Sequence, residues 1–244
     1  MAYQDFAYWY DSLNTEADYD RLADEMVTRL ARHGVPNGIV ADLGCGTGEL
    51  CLRLAAHGYD MIGVDASPDM LSVFREKAAE QGRGDILLLC QDLAKLDLYG
   101  TIRAAVSSFD TLNHLDEKAL AETVERVALF MEKGGVFIFD VNTPHKHAHV
   151  LANNVFEIET GPQTRCVWEN RYDPEQQATH ISVTGYERAQ MVFRERFIEY
   201  AHMPDKLAEI LQKNGLKVLE QCDGERFGPV LPTSQRLLVT ARKI

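Results

Sequence analysis

The sequence predicts an α/β fold: a mostly parallel sheet covered by helices on both faces, with an antiparallel β meander inserted late in the chain. Three observations carry that expectation. Apolar runs of strand length alternate with amphipathic helical stretches as far as Asn142, a pattern that calls for parallel strands with crossover helices. A loop holding Gly44, Gly46 and Gly48 lies directly between the first apolar run and the helix after it. From Asn153 to His202 the runs become longer, half-alternating and polar on one side, joined by turn residues.

Taken in order, "YDRLADEMVTRLARHG" places Leu22, Met26, Val27 and Leu30 on one helical face and stops at Gly34. "GIVADLG" is the first strand, and "ELCLRLAAHG" is a helix closed by Gly58. "YDMIGVD" follows as the second strand. Ser67 as N-cap, Pro68 in the first turn and Gly82 as stop then punctuate the helix "SPDMLSVFREKAAEQG". "DILLLCQD" and "IRAAVSSFD" are the third and fourth strands. "DEKALAETVERVALFMEKGG" is a helix capped by Asp116 that ends at its glycines, and "VFIFDVN" is the fifth strand. "VFEIETGPQTRCVWENRYD", "ATHISVTGYER" and "MVFRERFIEYAH" read as the meander, added to the main sheet. "PDKLAEILQKNG" is a last helix. "LKVLEQCDG" and "QRLLVTARK" pair antiparallel at the sheet edge, because the link between them is too short for a crossover helix.

The chain has 244 residues, 45% of them hydrophobic, which suits one domain (1–244) with the insertion at 153–202. Asp and Glu number 37 against 25 Lys and Arg, for a formal charge of -12. A large nucleic-acid surface, which needs clustered cations, is therefore not expected. The five cysteines, Cys45, Cys51, Cys90, Cys166 and Cys222, are odd in number and form no CxxC pair. They read as free, buried thiols in a reducing compartment. The start "MAYQDFAYWYD" lacks the positive end and apolar run of a secretory signal, and no apolar stretch reaches membrane-spanning length. A soluble, cytoplasmic protein is expected.

A glycine loop between the first strand and helix is where open α/β sheets bind ligands, beyond the carboxyl ends of the strands. The dinucleotide fingerprint is G-x-G-x-x-G, whereas this loop reads G-x-G-x-G. Asp42 precedes it and would oppose a nearby phosphate. The expected ligand is thus not strongly anionic. Asp65 closes the second strand, and its two acceptor oxygens suit the two donors of a ribose cis-diol. "QDL" offers Asp92 and the Leu93 backbone to an adenine ring.

These residues resemble the class I S-adenosylmethionine-dependent methyltransferases. "ADLGCGTGEL" is similar to their first motif, "VDASPDML" to the second and "CQDL" to the third. "FDTLNHL" and "GGVFIFDVNTP" resemble the later strand motifs. The N-terminal "YQDFAYWYDSL" is similar to a small-molecule branch that begins with an aromatic helix over the cofactor. "SFDTLN" stands where amino methyltransferases of nucleic acids carry Asn-Pro-Pro-Tyr. The resemblance implies a Rossmann-like seven-stranded sheet with the last strand antiparallel, and S-adenosyl-L-methionine as cofactor. It implies that Gly44, Gly46 and Gly48 let the backbone lie against the methionine part and ribose, and that Asp65, with Ala66 beside it, binds the ribose hydroxyls. Met70 would pack on the adenine, Asp92 and Leu93 would hold its edge, Phe109 would line the sulfonium pocket, and Tyr10 would reach the methionine carboxylate. A small-molecule acceptor is expected, with the chain a monomer or homodimer.

His114 follows the fourth strand near the expected acceptor and is the candidate base. In "HKHAH", His145 and His149 would share a helical face, but no Asp, Glu or Cys nearby completes a set, and no metal is expected. Phe6 and Trp9 read as an apolar plug, Tyr3 and Tyr10 as a lid. The meander either walls the acceptor pocket, with Trp168, Tyr172 and Tyr186 as lining, or forms a dimer surface. An NAD-dependent oxidoreductase and a catalytically silent cofactor-binding module are the alternatives.

Overall fold

The computed structural model describes residues 6–15 and 17–244; Tyr3, read above as part of a lid, lies outside them. The strands run in chain order β1 (Ile39–Leu43), β2 (Asp60–Asp65), β3 (Leu87–Cys90), β4 (Ile102–Ser107) and β5 (Met131–Asn142). Then come β6 (Val155–Gly161), β7 (Thr164–Asp173), β8 (Ala178–Glu187), β9 (Gln190–Tyr200), β10 (Leu216–Asp223) and β11 (Arg236–Lys243). The helices are α1 (Ala7–Leu13), α2 (Tyr19–Arg32), α3 (Glu49–Ala56), α4 (Pro68–Glu80), α5 (Glu117–Phe130) and α6 (Pro204–Lys213).

Seven strands form one sheet in the order β10-β11-β5-β4-β1-β2-β3, with β11 antiparallel to both its neighbours. Side chains alternate across the strands, so each face gathers its own core. Val40, Ala104, Val106, Val136 and Ile138 pack with Met26, Leu30, Leu54 and Phe74 of α2, α3 and α4. Ala41, Leu43, Ala105, Phe137 and Phe139 pack on the opposite face with Val124 and Val127 of α5 and Leu207 and Leu211 of α6. Burying each large side chain of these layers contributes about 1.5–3 kcal/mol, which is why the parallel strands read as near-continuous apolar runs. The caps seen in the sequence form as expected: Ser67 accepts from the Met70 N–H, and Asp116 accepts from the Ala119 N–H.

Three expectations are corrected. The meander does not extend the main sheet but forms its own four-stranded sheet, β6-β7-β8-β9. Its inner side chains Cys166, Ile181, Val183 and Phe193 pack against Phe6 and Ala7 at α1 and Met70 of α4. Helix α5 stops at Phe130 rather than at the glycines, because Met131 is already extended, buried and paired with Ile102 of β4. Of the five thiols, Cys90 is exposed, since β3 is an edge strand; the other four are buried and all are free. Among the described residues no helix is long and apolar enough to cross a membrane.

Candidate active site

Strand order reverses between β4 and β1, which opens a crevice at their carboxyl ends. The loop after β1 enters it through three left-handed turns, at Gly44 (φ 72°), Gly46 (φ 52°) and Gly48 (φ 87°). The glycines differ in purpose. A Cβ on Gly44 would sit 2.2 Å from the Thr111 methyl, and one on Gly48 would sit 2.3 Å from the Phe74 ring. At Gly46 a Cβ would meet nothing within 4 Å. Gly44 and Gly48 are therefore required by the protein's own packing, whereas Gly46 keeps open space beside the backbone.

The Asp65 carboxylate braces this loop, with Oδ2 accepting from the Gly46 N–H at 2.9 Å and Oδ1 from the Ser67 N–H at 2.8 Å. Burial raises its pKa, against the pull of those N–H groups. Asp42, wholly buried beneath the loop, is pushed to about 7 by burial and by the charge of Asp65. Its Oδ2 has no hydrogen-bond partner among the described residues. Helix α1 is pinned over the loop by Asp11, which accepts from the Thr47 hydroxyl at 2.6 Å and pairs with Lys77 at 2.5 Å.

On the other side of the crevice, Phe109 (φ 53°) and Asp110 (φ 58°) are consecutive left-handed residues without being glycine. Such strain persists only where surroundings over-determine it. Here the buried Asp140 carboxylate accepts from both backbone N–H groups, at 3.1 and 3.0 Å. Arg236 reaches across from β11 to Asp140 at 2.5 Å and to Asp110 at 2.9 Å. Burial opposes the charge on Asp110, but Arg236, Lys146 and His114 outweigh it and hold its pKa below the ordinary value. His114 is lowered by burial, despite Asp110, so its imidazole is neutral near pH 7.

The second sheet completes the enclosure. Glu199 of β9 is buried and accepts from the Asn142 side chain at 2.9 Å. Burial, then the Asp110 charge, push its carboxyl to about 8. Asn113, fully buried, donates to the Asn142 and Tyr200 carbonyls and accepts from the Asn142 N–H, which stitches β9 to the end of β5.

The result is one cavity of about 760 Å³. Tyr10, Gly44, Gly46, Asp65, Ala66, Met70, Asp92, Leu93, Phe109 and His114 all line it; Gly48 does not, and serves instead to start α3. Phe6 lines it as well as plugging the core, while Trp9 packs edge-on to Phe193. Of the three meander aromatics, Trp168 lines the cavity; Tyr172 and Tyr186 do not, and the Tyr186 ring lies beneath the Arg165 guanidinium. His145 and His149 do share a face, 4.8 Å apart on a π-helical turn, with His147 between them buried against the Thr179 hydroxyl. The sequence reading missed Asp110, Asn142, Lys146, Glu199 and Arg236, all on the cavity wall. A signal existed for one part: Asp140 interrupts, and Asn142 closes, the otherwise apolar run of β5.

The profile of the methyltransferase domain family matches residues 40–135. A demethylmenaquinone methyltransferase of Thermus thermophilus is 32% identical over 152 residues, covering 60% of this chain and 67% of that protein. The chain belongs to the class I S-adenosylmethionine-dependent methyltransferases. A protein of Geobacillus sp. (strain WCH70) named "Putative methyltransferase" is 34% identical over 158 residues, which cover 64% of each chain. The chain thus spans somewhat under two thirds of that relative's length. A crystal structure of an S-adenosylmethionine-dependent methyltransferase from Clostridium acetobutylicum superposes with a TM-score of 0.88, at 26% identity over 98% of both chains. An amino pentose methyltransferase from Micromonospora echinaspora shares the fold at a TM-score of 0.77 and 16% identity, over 100% of this chain and 98% of that one. The methyltransferase fold, including the separate four-stranded sheet, therefore matches along nearly the whole chain.

Proposed function

We propose that this methyltransferase moves the methyl group of S-adenosylmethionine to a small-molecule acceptor held between the strand ends and the second sheet. One observation carries the reading: the glycine-loop residues and the β9 residues line the same cavity. Residues on its first side fit the cofactor. Gly46 leaves room for close approach of a ligand, and the Asp65 carboxylate oxygens retain lone pairs beyond those given to Gly46 and Ser67. The orphaned Asp42 oxygen suits a cationic amino group nearby, whose charge offsets the cost of burying a carboxylate. Gly44 and Gly46 would face the methionine part and ribose, Asp65 and Ala66 the ribose, Met70, Asp92 and Leu93 the adenine, Phe109 the sulfonium side, and Tyr10 the methionine carboxylate. When bound, the cofactor supplies an activated methyl group on a sulfonium leaving group. The protein's part is to align the acceptor, keep water out and take up a proton where the nucleophile arrives protonated.

A small acceptor is supported by the roof of β-strands over the cavity and by relatives named for demethylmenaquinone and amino pentose acceptors. Calorimetric titration with S-adenosylmethionine and with NAD tests the cofactor. Saturable binding of the first and none of the second is expected, and the reverse order would overturn the reading. Formation of S-adenosylhomocysteine with an acceptor panel then separates an enzyme from a silent binding module.

A further inference from the structure

We propose that Asp110, His114 and Glu199 together form the seat of a protonated amine, so that the acceptor is a primary or secondary amine methylated on nitrogen. The proposal rests on the reading that the other end of the cavity holds S-adenosylmethionine, and it adds the chemical class of the acceptor.

The first support is geometric. One ligand atom from each of the three side chains lies within 4.8 Å of the other two. Three points so spaced share a position at most about 2.8 Å from each, the ordinary length of a charge-assisted N–H···O bond. A primary ammonium presents three donors and no acceptor, which matches three converging groups; a secondary one presents two and no acceptor. A hydroxyl presents one donor and would serve only one of the three. The seat is close to the cofactor end, since Thr111, between Asp110 and His114, offers its hydroxyl to the Gly44 carbonyl at 3.5 Å.

Charge supplies the second support. Around this point stand the carboxyl groups of Asp110, Asp140 and Glu199 and the cations Arg236 and Lys146. Near pH 7 Glu199, raised to about 8, holds its proton and the other four charges balance; a bound ammonium favours the ionised Glu199 carboxylate, and its single positive charge then completes the set. An anionic acceptor would meet buried carboxylates. A divalent metal would add two charges beside Arg236, which already occupies Asp110 Oδ1 at 2.9 Å, and beside Lys146. Trp168 and Phe197 line the same cavity, and aromatic rings suit a cation with an apolar body.

The seat also handles the proton. An ammonium has no lone pair, so it must lose a proton before it can attack carbon. The N–H proton passes to the Glu199 carboxylate. The freed nitrogen lone pair then forms the C–N bond as the methyl carbon–sulfur bond breaks, with sulfur keeping that electron pair. The products are a methylated ammonium and neutral S-adenosylhomocysteine, and the proton leaves from Glu199 to solvent. The burial that raises Glu199 to about 8 brings its proton affinity toward that of an alkylamine.

The test is calorimetric titration of the full chain, with and without S-adenosylhomocysteine, using benzylamine, benzyl alcohol and benzoate at pH 7.5. Wild type is expected to bind benzylamine at least about ten-fold more tightly than benzyl alcohol, and benzoate more weakly still. Glu199→Gln should erase the amine preference while leaving S-adenosylhomocysteine affinity within about two-fold; its thermal melt reports whether it folds. The wild-type comparison stands even if that variant does not fold. Equal binding of amine and alcohol, or no binding of any probe, overturns the proposal. So does an amine preference that survives in a folded Glu199→Gln. Micromolar Mn²⁺ binding that excludes benzylamine overturns it in favour of a metal site. In wild type, absent S-adenosylhomocysteine binding beside a clear amine preference would sink the cofactor reading alone, and S-adenosylhomocysteine binding with no amine preference would sink this proposal alone.

Discussion

Replacing Asp65 with alanine probes the loop and the ligand at once. In the structure each carboxylate oxygen already accepts one backbone N–H, from Gly46 at 2.9 Å and from Ser67 at 2.8 Å. A ribose diol would use the remaining lone pairs, adding two hydrogen bonds to a charged group. Such bonds are worth about 1.5–3 kcal/mol each. Part of that is recovered in the variant because the freed N–H groups and the ribose return to water. A net loss of about 2–4 kcal/mol is expected for cofactor binding, roughly 30- to 1,000-fold in Kd. Asp65→Asn should lose about half as much on a free-energy scale, because its amide nitrogen must face one of the two backbone donors. The assay is calorimetric titration with S-adenosylhomocysteine, with circular dichroism to confirm folding. An alanine variant that folds and binds within two-fold of wild type would refute the placement of the ribose at Asp65.

The glycines separate by what surrounds them. Gly46→Val should abolish cofactor binding while lowering the melting temperature by only a few degrees, since about 1–2 kcal/mol of left-handed strain is its main cost. Gly48→Ala should do the reverse, destabilising the fold more than ligand binding, because its Cβ overlaps the Phe74 ring; melting and titration on both variants check the pair. Asp42 is raised to about 7 when folded, well above its ordinary value, so the native state holds the extra proton. Stability should therefore fall as pH rises from about 4 to 7 and level off above, and Asp42→Asn should gain on wild type across that window in urea titrations at pH 5 and 8. Asn113→Ala removes three hydrogen bonds, two to Asn142 of β5 and one to Tyr200 of β9, and should cost about 2–4 kcal/mol of stability, read from the shift in urea midpoint.

What was legible in the sequence was local. Ser67, Asp116 and the glycine stops act within one helical turn of themselves, so their neighbours in sequence are their partners in space. The glycine-loop side of the cavity was legible for the same reason: Gly46 follows β1 and Asp65 closes β2, and these adjacent parallel strands bring them together. The side facing the second sheet was not. Asp110 meets Arg236, 126 positions along the chain, and Asn142 meets Glu199, 57 positions along. Neither pairing follows from any local pattern. The strain at Phe109 and Asp110 was hidden likewise, because the carboxylate that sustains it comes from Asp140 on the neighbouring strand. Alternation marked β6 to β9 as strands, but it could not say that they pair only with each other. That was decided by the apolar surface of Phe6, Ala7 and Met70, which covers the inner face of their sheet.

The most direct test of the account is a crystal structure of the protein grown with S-adenosylhomocysteine. The ligand should lie in the cavity with its ribose hydroxyls on the Asp65 carboxylate, its backbone contact at Gly46 and its adenine beside Asp92 and Leu93. Its sulfur should point toward Phe109 and the space bounded by Glu199. A ligand bound elsewhere, or turned so that Asp65 touches no ribose oxygen, would contradict it.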